Sequence, residues 1–318
     1  MKKRELVMLA HTYNSDKDVV NGWYCSEKLD GQRALWLPWT RGLKVGDVGF
    51  ANRARDHRDH IATGLWSRYG KTIFAPNWWL DCLPTNYILD GELYSGRGQF
   101  QTLRSCVGKL VGIDNEWEAV KYCVFDIPTI KEFYKAGVIR NVNYSYEFDG
   151  IVGQGSGYGF VDYDDVLKIL KTINNSVIEC VKQTQLPFYT NSCEIKLNET
   201  LKEVVGLGGE GLILRKPSSE WEPIRSNNLL KVKPVLFGEG VVVGWSVGIG
   251  KYVGMMGSLN VLWQDKVFSL SGFTDLERQL VGGGEMINFK VGDVVKFCYR
   301  ELSDGGIPKE ARYYRSFI

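Results

Sequence analysis

Beyond Pro234 the chain changes character, and this change constrains its fold more than any other feature. Glycine, valine and aromatic residues dominate there. Short strand-like runs recur at Gly240–Trp245, Ser258–Trp263, Lys266–Leu270 and Val294–Tyr299, with glycine-containing turns between them. Several short strands in so small a segment predict a small β-barrel. The boundary falls near Phe237, so the chain reads as two domains, 1–237 and 238–318. At 318 residues a sizeable core is available without disulfide staples. Hydrophobic residues at 44% and charged residues at 24% are ordinary globular values, which argues against a disordered or fibrous chain.

In the first domain the stretch Glu27-Lys28-Leu29-Asp30-Gly31-Gln32-Arg33 stands between two apolar runs, Trp23–Cys25 and Ala34–Leu37. It predicts strand, turn, strand, with Gly31 at the turn. A lysine flanked by cations or partly buried can act as a nucleophile toward a nucleotide α-phosphate. Taken alone, the same stretch reads equally as an ordinary hairpin with exposed charges.

Four later segments bear on that choice. Tyr87–Tyr94 reads as a buried strand that carries Asp90 and Glu92 inward, where acids are costly unless paired or metal-bound, or, taken alone, as two short strands joined by a turn at Asp90-Gly91 with Glu92 exposed; Gly96-Arg97-Gly98 follows as a flexible basic loop. Tyr122–Pro128 reads as another apolar strand, ended by its proline, with Phe125 either core or a flat face for a nucleobase. Gly208–Arg215 gives a glycine turn, an acid at Glu210 and then a strand. Finally, Leu229–Pro234 alternates with period two, which sets Lys231 and Lys233 on one face. Two ammonium groups aimed the same way call for an anion between them, such as a triphosphate, or belong to an exposed edge strand.

Other motifs carry less. The charge-dense run Phe50–His60 reads as a solvated face, with Arg53 a candidate ribose or phosphate contact and His57/His60 too isolated to predict a metal site. Gly153-Gln154-Gly155-Ser156-Gly157 lacks the spacing and following helix of a dinucleotide loop. Apolar positions at helical spacing predict helices over Asp162–Lys171 and Leu197–Val205, the second capped by Asn198.

Lys and Arg number 39 against 37 Asp and Glu, so any polyanion must be held by local patches. Seven scattered cysteines, Cys25, Cys82, Cys106, Cys123, Cys180, Cys193 and Cys298, form no Cys-x-x-Cys pair; this reads as a reduced, intracellular chain without structural zinc. The basic start Met1–Ala10 lacks a signal-peptide core, and no run reaches membrane-spanning length, so the expectation is a soluble protein with no membrane association.

In combination these residues resemble the covalent nucleotidyltransferases, and most closely the small ATP-dependent DNA ligases of phage, viral and bacterial type. Glu27–Arg33 is similar to the family's first motif, Lys-x-Asp-Gly-x-Arg, and Asn52-Arg53 to the arginine motif after it. Leu89–Leu93 resembles the third motif, Val124–Asp126 the adjoining aromatic one, Glu210–Ile213 the fourth and Leu229–Pro234 the fifth. Gly250–Ser258 and Gly305–Arg315 resemble the glycine-rich loop and the C-terminal segment of the family's barrel. Lys309-Glu310 departs from an arginine-led pair, which leaves Lys309, Arg312 and Arg315 as alternatives for contact with the ATP tail. The stretch Asn141–Glu194 matches poorly.

The resemblance implies an α+β fold: a nucleotidyltransferase domain of ATP-grasp-like antiparallel sheets with helices, followed by a small OB-fold barrel. It implies that Lys28 attacks ATP, that AMP then passes to the 5′-phosphate of a nick in double-stranded DNA, and that the 3′-hydroxyl displaces AMP. Lys28, Lys231 and Lys233 would be catalytic, with the cations at Lys231, Lys233 and Arg33 lowering the pKa of Lys28. Glu27, Leu29, Arg33, Arg53, Glu92, Phe125, Glu210, Lys231, Lys233 and Arg315 would contact the nucleotide. Glu92 and Glu210 would hold Mg²⁺ or Mn²⁺. The early first motif leads us to expect no separate N-terminal DNA-binding domain, and nothing suggests more than a monomer. RNA ligases and mRNA-capping guanylyltransferases share the lysine chemistry, and a non-catalytic OB-type nucleic-acid-binding protein is the rival from another class; the Leu229–Lys233 strand with this barrel tail favours DNA ligase.

Overall fold

In the computed structural model the described residues are 6–51, 58–135, 163–281, 284–303 and 305–315. Arg53, His57 and the Gly153–Gly157 loop, singled out above, lie outside them. The chain divides into two compact units that part between Val232 and Lys233, ahead of the boundary expected at Phe237.

The first unit is built on two five-stranded sheets. Its strands are β1 (Leu9–Thr12), β2 (Tyr24–Glu27), β3 (Gln32–Trp36), β4 (Leu65–Ser67), β5 (Leu89–Tyr94), β6 (Lys121–Asp126), β7 (Ile178–Cys180), β8 (Thr184–Gln185), β9 (Leu212–Arg215) and β10 (Arg225–Val232). One sheet runs β1-β10-β9-β2-β8 and the other β4-β3-β5-β6-β7. Pairing is antiparallel except for β1–β10 and β6–β7. The helices are α1 (Asn77–Leu80), α2 (Phe100–Val107), α3 (Asp114–Trp117), α4 (Ile130–Lys135), α5 (Tyr163–Leu170) and α6 (Thr190–Gly206).

Alternation explains how the helices attach. Tyr163, Val166 and Leu170 recur at three- and four-residue spacing on α5 and are buried among Leu89, Leu93, Tyr122 and Val124 of the second sheet. On α6, Cys193 and Leu197 turn inward onto Cys25, Leu212, Leu214 and Leu230 of the first sheet. This helix starts well before the expected Leu197: Asn198 lies inside it, and the residue before the first turn is Tyr189, which makes no side-chain cap. The polar Thr190–Glu194 segment hid the start, because apolar spacing shows only the packed face.

The expected strand, turn, strand around Lys28 is present, but it is not a hairpin. Strand β2 belongs to the first sheet and β3 to the second, so residues 28–31 carry the chain from one sheet to the other. Likewise Asp90-Gly91 is not a turn; both lie inside a continuous β5.

The second unit contains β11 (Leu236–Val247), β12 (Met256–Trp263), β13 (Lys266–Leu270), β14 (Leu280–Val281), β15 (Glu285–Met286), β16 (Val294–Tyr299), β17 (Glu301–Leu302), β18 (Pro308–Lys309) and β19 (Arg312–Tyr313). Its main sheet runs β13-β12-β11-β16-β19. A bridge between Ser271 and Arg312, with Tyr313 N–H donating to Ser271 O at 2.7 Å, joins the two edges and curls the sheet into a barrel. Val242, Leu259, Val261, Leu270 and Phe297 fill it. The architecture is α+β, with few helices beside mixed sheets and a small OB-type barrel. Among the described residues no helix is long and apolar enough to cross a membrane.

Candidate active site

Lys28 sits at the crossover between the two sheets of the first unit. Its N–H donates to Gly211 O at 2.8 Å, which continues the β2–β9 pairing one residue past Glu27. Its Nζ forms an ion pair with Glu210, and the two side chains are 25% and 15% exposed. Leu29 is half-buried beside it. Gly31 was read as a turn glycine, yet its φ is not positive. What excludes a side chain there is proximity: an added Cβ would collide with the Leu93 carbonyl and lie 2.7 Å from Glu92 Cγ. The crossover is therefore pressed against β5, which brings Lys28 to the acids of that strand.

Glu92 stands opposite Arg33 in the β3–β5 register. Burial pushes the Glu92 carboxyl up to about 7; Arg33 and Lys28 pull it down, while Asp90 and Glu210 push it further up. These five groups thus share one field. Arg33 is held from below: its Nε and one terminal nitrogen donate to the two Asp90 oxygens at 2.6 and 2.7 Å, and the same nitrogen reaches Met8 O at 3.3 Å. Asp90 is fully buried and also accepts from Trp221 Nε1 at 2.8 Å. Burial alone would depress the Arg33 guanidinium, but Asp90, together with Glu92 and Asp126, outweighs it and holds the pKa above the ordinary value. The guanidinium lies 4.4 Å from the centre of the Phe125 ring, so one face of that half-buried aromatic carries a cation.

Below this layer a second buried pair sets Arg215 3.4 Å from Asp126, whose carboxyl burial pushes up to about 6 against the pull of Arg215. Glu132 accepts from the N–H of Trp221 at 2.9 Å and of Thr129 at 2.6 Å, and burial raises it to about 7.

Lys231 is half-buried on β10, opposite Ile213 of β9 and Thr12 of β1. The strand ends at Val232, so the alternation that would align Lys233 with it stops one residue short. Lys233 opens the second unit, where its carbonyl accepts from Arg300 at 3.0 Å. Arg315 also belongs to the second unit; it donates to Glu277, through Nε at 2.9 Å, and to Gly272 O at 3.0 Å. The structure thus gathers Lys28, Arg33, Glu92, Phe125 and Glu210 in the first unit. Glu27 lies next to them with its carboxylate gripped by Arg97 at 2.9 and 2.7 Å.

Sequence reasoning passed over Asp90 as the partner of Arg33, and over Trp221 and Arg97. A buried acid beside Glu92 was a signal for the first, and the Gly96-Arg97-Gly98 loop marked the third. Trp221 lies in an irregular segment with no period to reveal it.

Comparison with known proteins places this geometry. Residues 7–233 match the family described as ATP dependent DNA ligase domain, and residues 247–316 match the DNA ligase OB-like domain. The chain is 26% identical over 310 residues to a DNA ligase of Haemophilus influenzae, covering 97% of this chain and 91% of that protein. A solved structure from a structure-function analysis of Lig E DNA ligases is 28% identical with a TM-score of 0.64, and covers 97% of this chain and 98% of that one. Another solved structure, Pmar-Lig_Pre, shares the fold at a TM-score of 0.67 and 20% identity, covering 98% of this chain and 67% of that one. With a family match that runs through both sheets and every described residue gathered around Lys28, this chain belongs to the ATP-dependent DNA ligases.

Proposed function

We propose that Lys28 captures AMP from ATP and that the enzyme seals nicks in duplex DNA through lysyl-AMP and 5′-adenylated DNA. The observation that carries this reading is the setting of Lys28: backbone locked to Gly211, Nζ paired with Glu210, and Arg33 and Glu92 within the same field. Attack needs the neutral amine, so Nζ gives up a proton and parts from Glu210 as its nitrogen bonds to the α-phosphorus. The bond to the pyrophosphate oxygen breaks and pyrophosphate leaves. An oxygen of the nick's 5′-phosphate next attacks the same phosphorus, and Lys28 departs as the amine. The 3′-hydroxyl then attacks the 5′-phosphate, closes the strand and expels AMP. Such chemistry is mostly positioning and charge stabilisation.

Arg33 and Lys231 supply positive charge for the phosphates, and Phe125 an aromatic face for the base. Glu92 and Glu210 fit a hard divalent cation. Among the described residues no group of three or more His, Cys, Asp or Glu side chains is placed to hold a metal. Two carboxylates completed by water and phosphate oxygens is the mode Mg²⁺ prefers, with Mn²⁺ an alternative of the same kind. Such an ion supplies charge to offset the developing negative charge on the phosphates. The Lig E relative is described in terms of DNA binding with a minimal scaffold; we extend that description to this chain, with the grip on DNA weakening as salt rises.

The test is incubation with α-labelled ATP and Mg²⁺, followed by a chase with nicked duplex. The expected result is an acid-labile label on the protein that moves to DNA on the chase and is absent from Lys28→Ala. No label on the wild type, or equal label on Lys28→Ala, overturns the reading.

A further inference from the structure

Arg97 stands on the loop between β5 and α2, flanked by Gly96 at φ +110° and Gly98 at φ +73°. Both are left-handed conformations that favour glycine, so the loop's backbone fixes where Arg97 projects. Its guanidinium makes three hydrogen bonds to two partners. Nε and one terminal nitrogen clamp the Glu27 carboxylate at 2.9 and 2.7 Å, and the other terminal nitrogen donates to Leu207 O at 3.1 Å. Leu207 follows the last residue of α6, where carbonyls lack helical partners and a cation is favoured.

The two partners lead to the two ends of the Lys28 side chain. Glu27 precedes Lys28 in the chain, at the end of β2. Leu207 leads through Gly208 and Gly209 to Glu210, the ion-pair partner of Lys28 Nζ, and to Gly211, the acceptor of its N–H. Gly209 belongs to the same arrangement: a Cβ there would lie 2.5 Å from Val204 Cγ1 and 2.9 Å from Glu27 Oε1, so only glycine lets the turn close over that carboxylate. Arg97 thus completes a ring of contacts that runs from Arg97 to Glu27, Lys28, Glu210, Leu207 and back.

We propose that Arg97 is a positioning residue for the lysine-adenylylation step: by tying β2 to the turn after α6 it holds Lys28 in line with its substrate. Its hydrogen bonds go to Glu27 and Leu207, and none goes to Lys28 Nζ. A bidentate guanidinium is needed because one side chain must satisfy a carboxylate and a carbonyl together. The inference rests on the reading of Lys28 as the nucleophile.

The experiment measures single-turnover label transfer from α-labelled ATP to the protein at saturating ATP, and separately the closure of a nick already carrying 5′-AMP. Arg97→Ala is expected to slow label capture about ten-fold, as small misplacements of a reacting group do. It leaves closure of the pre-adenylated nick within about two-fold of the wild type. Arg97→Lys, which keeps the charge but not the fork, falls between them. In a Glu27→Ala background, removing Arg97 has no further effect beyond about two-fold, because the two act as one unit. Normal capture by Arg97→Ala, equal losses in both steps, or effects that multiply in the double variant would each overturn the proposal. Those failures leave the labelling of Lys28 intact, whereas label that persists on Lys28→Ala would overturn the underlying reading instead.

Discussion

The two units treat carboxylates in opposite ways. In the first unit Asp90 is fully buried under Arg33, Asp126 is buried beside Arg215, and burial raises Glu92 and Glu132 to about 7. In the barrel, Glu277 lies near the surface, and the hydrogen bond from Arg315 lowers it to about 2, helped by the N–H and hydroxyl of Thr274, which both donate to it. Among the described residues the barrel interior is otherwise apolar, apart from buried Arg278, which donates to the Met256 carbonyl at 2.8 Å and to that of Phe273 at 3.3 Å. The difference shows where the molecule accepts unfavourable desolvation. Charge is buried around Lys28, where paired groups hold one another in place, and avoided where the strands need only a core.

The sharpest way to break this contrast is to remove a buried acid. Asp90→Ala leaves Arg33 buried without its partner and should cost about 3–5 kcal/mol, read by urea unfolding through the buried tryptophans Trp36, Trp66, Trp79 and Trp117. A cost near that of a surface pair would show that the charge network is not structural. Next comes pH. A carboxylate raised in the folded state adds stability that is fully present below its ordinary value of 4.5 and is lost as pH rises toward 7, which is the case of Glu132. A lowered carboxylate adds stability that is present above 4.5 and is lost as pH falls toward 2, which is the case of Glu277. The stability of Glu132→Gln relative to the wild type should therefore rise between pH 4.5 and 7, by up to about 3 kcal/mol. A pH-independent difference would contradict the assignment.

A smaller effect is expected at Trp221. Trp221→Phe keeps the ring that packs on Phe133 at 4.7 Å but removes the donor to Asp90. Losing one charge-assisted hydrogen bond should cost about 2 kcal/mol, and the same urea titration reads it. The smallest belongs to the barrel: Arg315→Ala breaks a pair whose partners are 36% and 21% exposed and should cost less than about 1 kcal/mol. A larger loss there than at Trp221 would invert the comparison.

Most of the strands were legible because alternation reports which face is packed, as Lys266–Leu270 and Val294–Tyr299 show. The types and order of Lys28, Glu92, Phe125 and Glu210 were also legible as motifs. What adjacency along the chain conceals is which sheet a strand joins. Residues 23–37 read as strand, turn, strand whether the turn closes a hairpin or crosses between sheets, and only the partners β9 and β5 decide. Lys231 and Lys233 show the reverse limit, since period two holds only while the strand lasts, and β10 ends between them. Asp90, Trp221 and Arg97 were hidden for a related reason: each acts through a partner more than fifty residues away in the chain.

The central claim is that Lys28 alone carries AMP between ATP and DNA. Protein labelled with α-labelled ATP can be digested and the modified peptide identified. The account predicts a single acid-labile phosphoramide on the peptide containing Lys28, lost in Lys28→Ala while the variant still closes a pre-adenylated nick. Label on another lysine, or label of normal extent in Lys28→Ala, would contradict it.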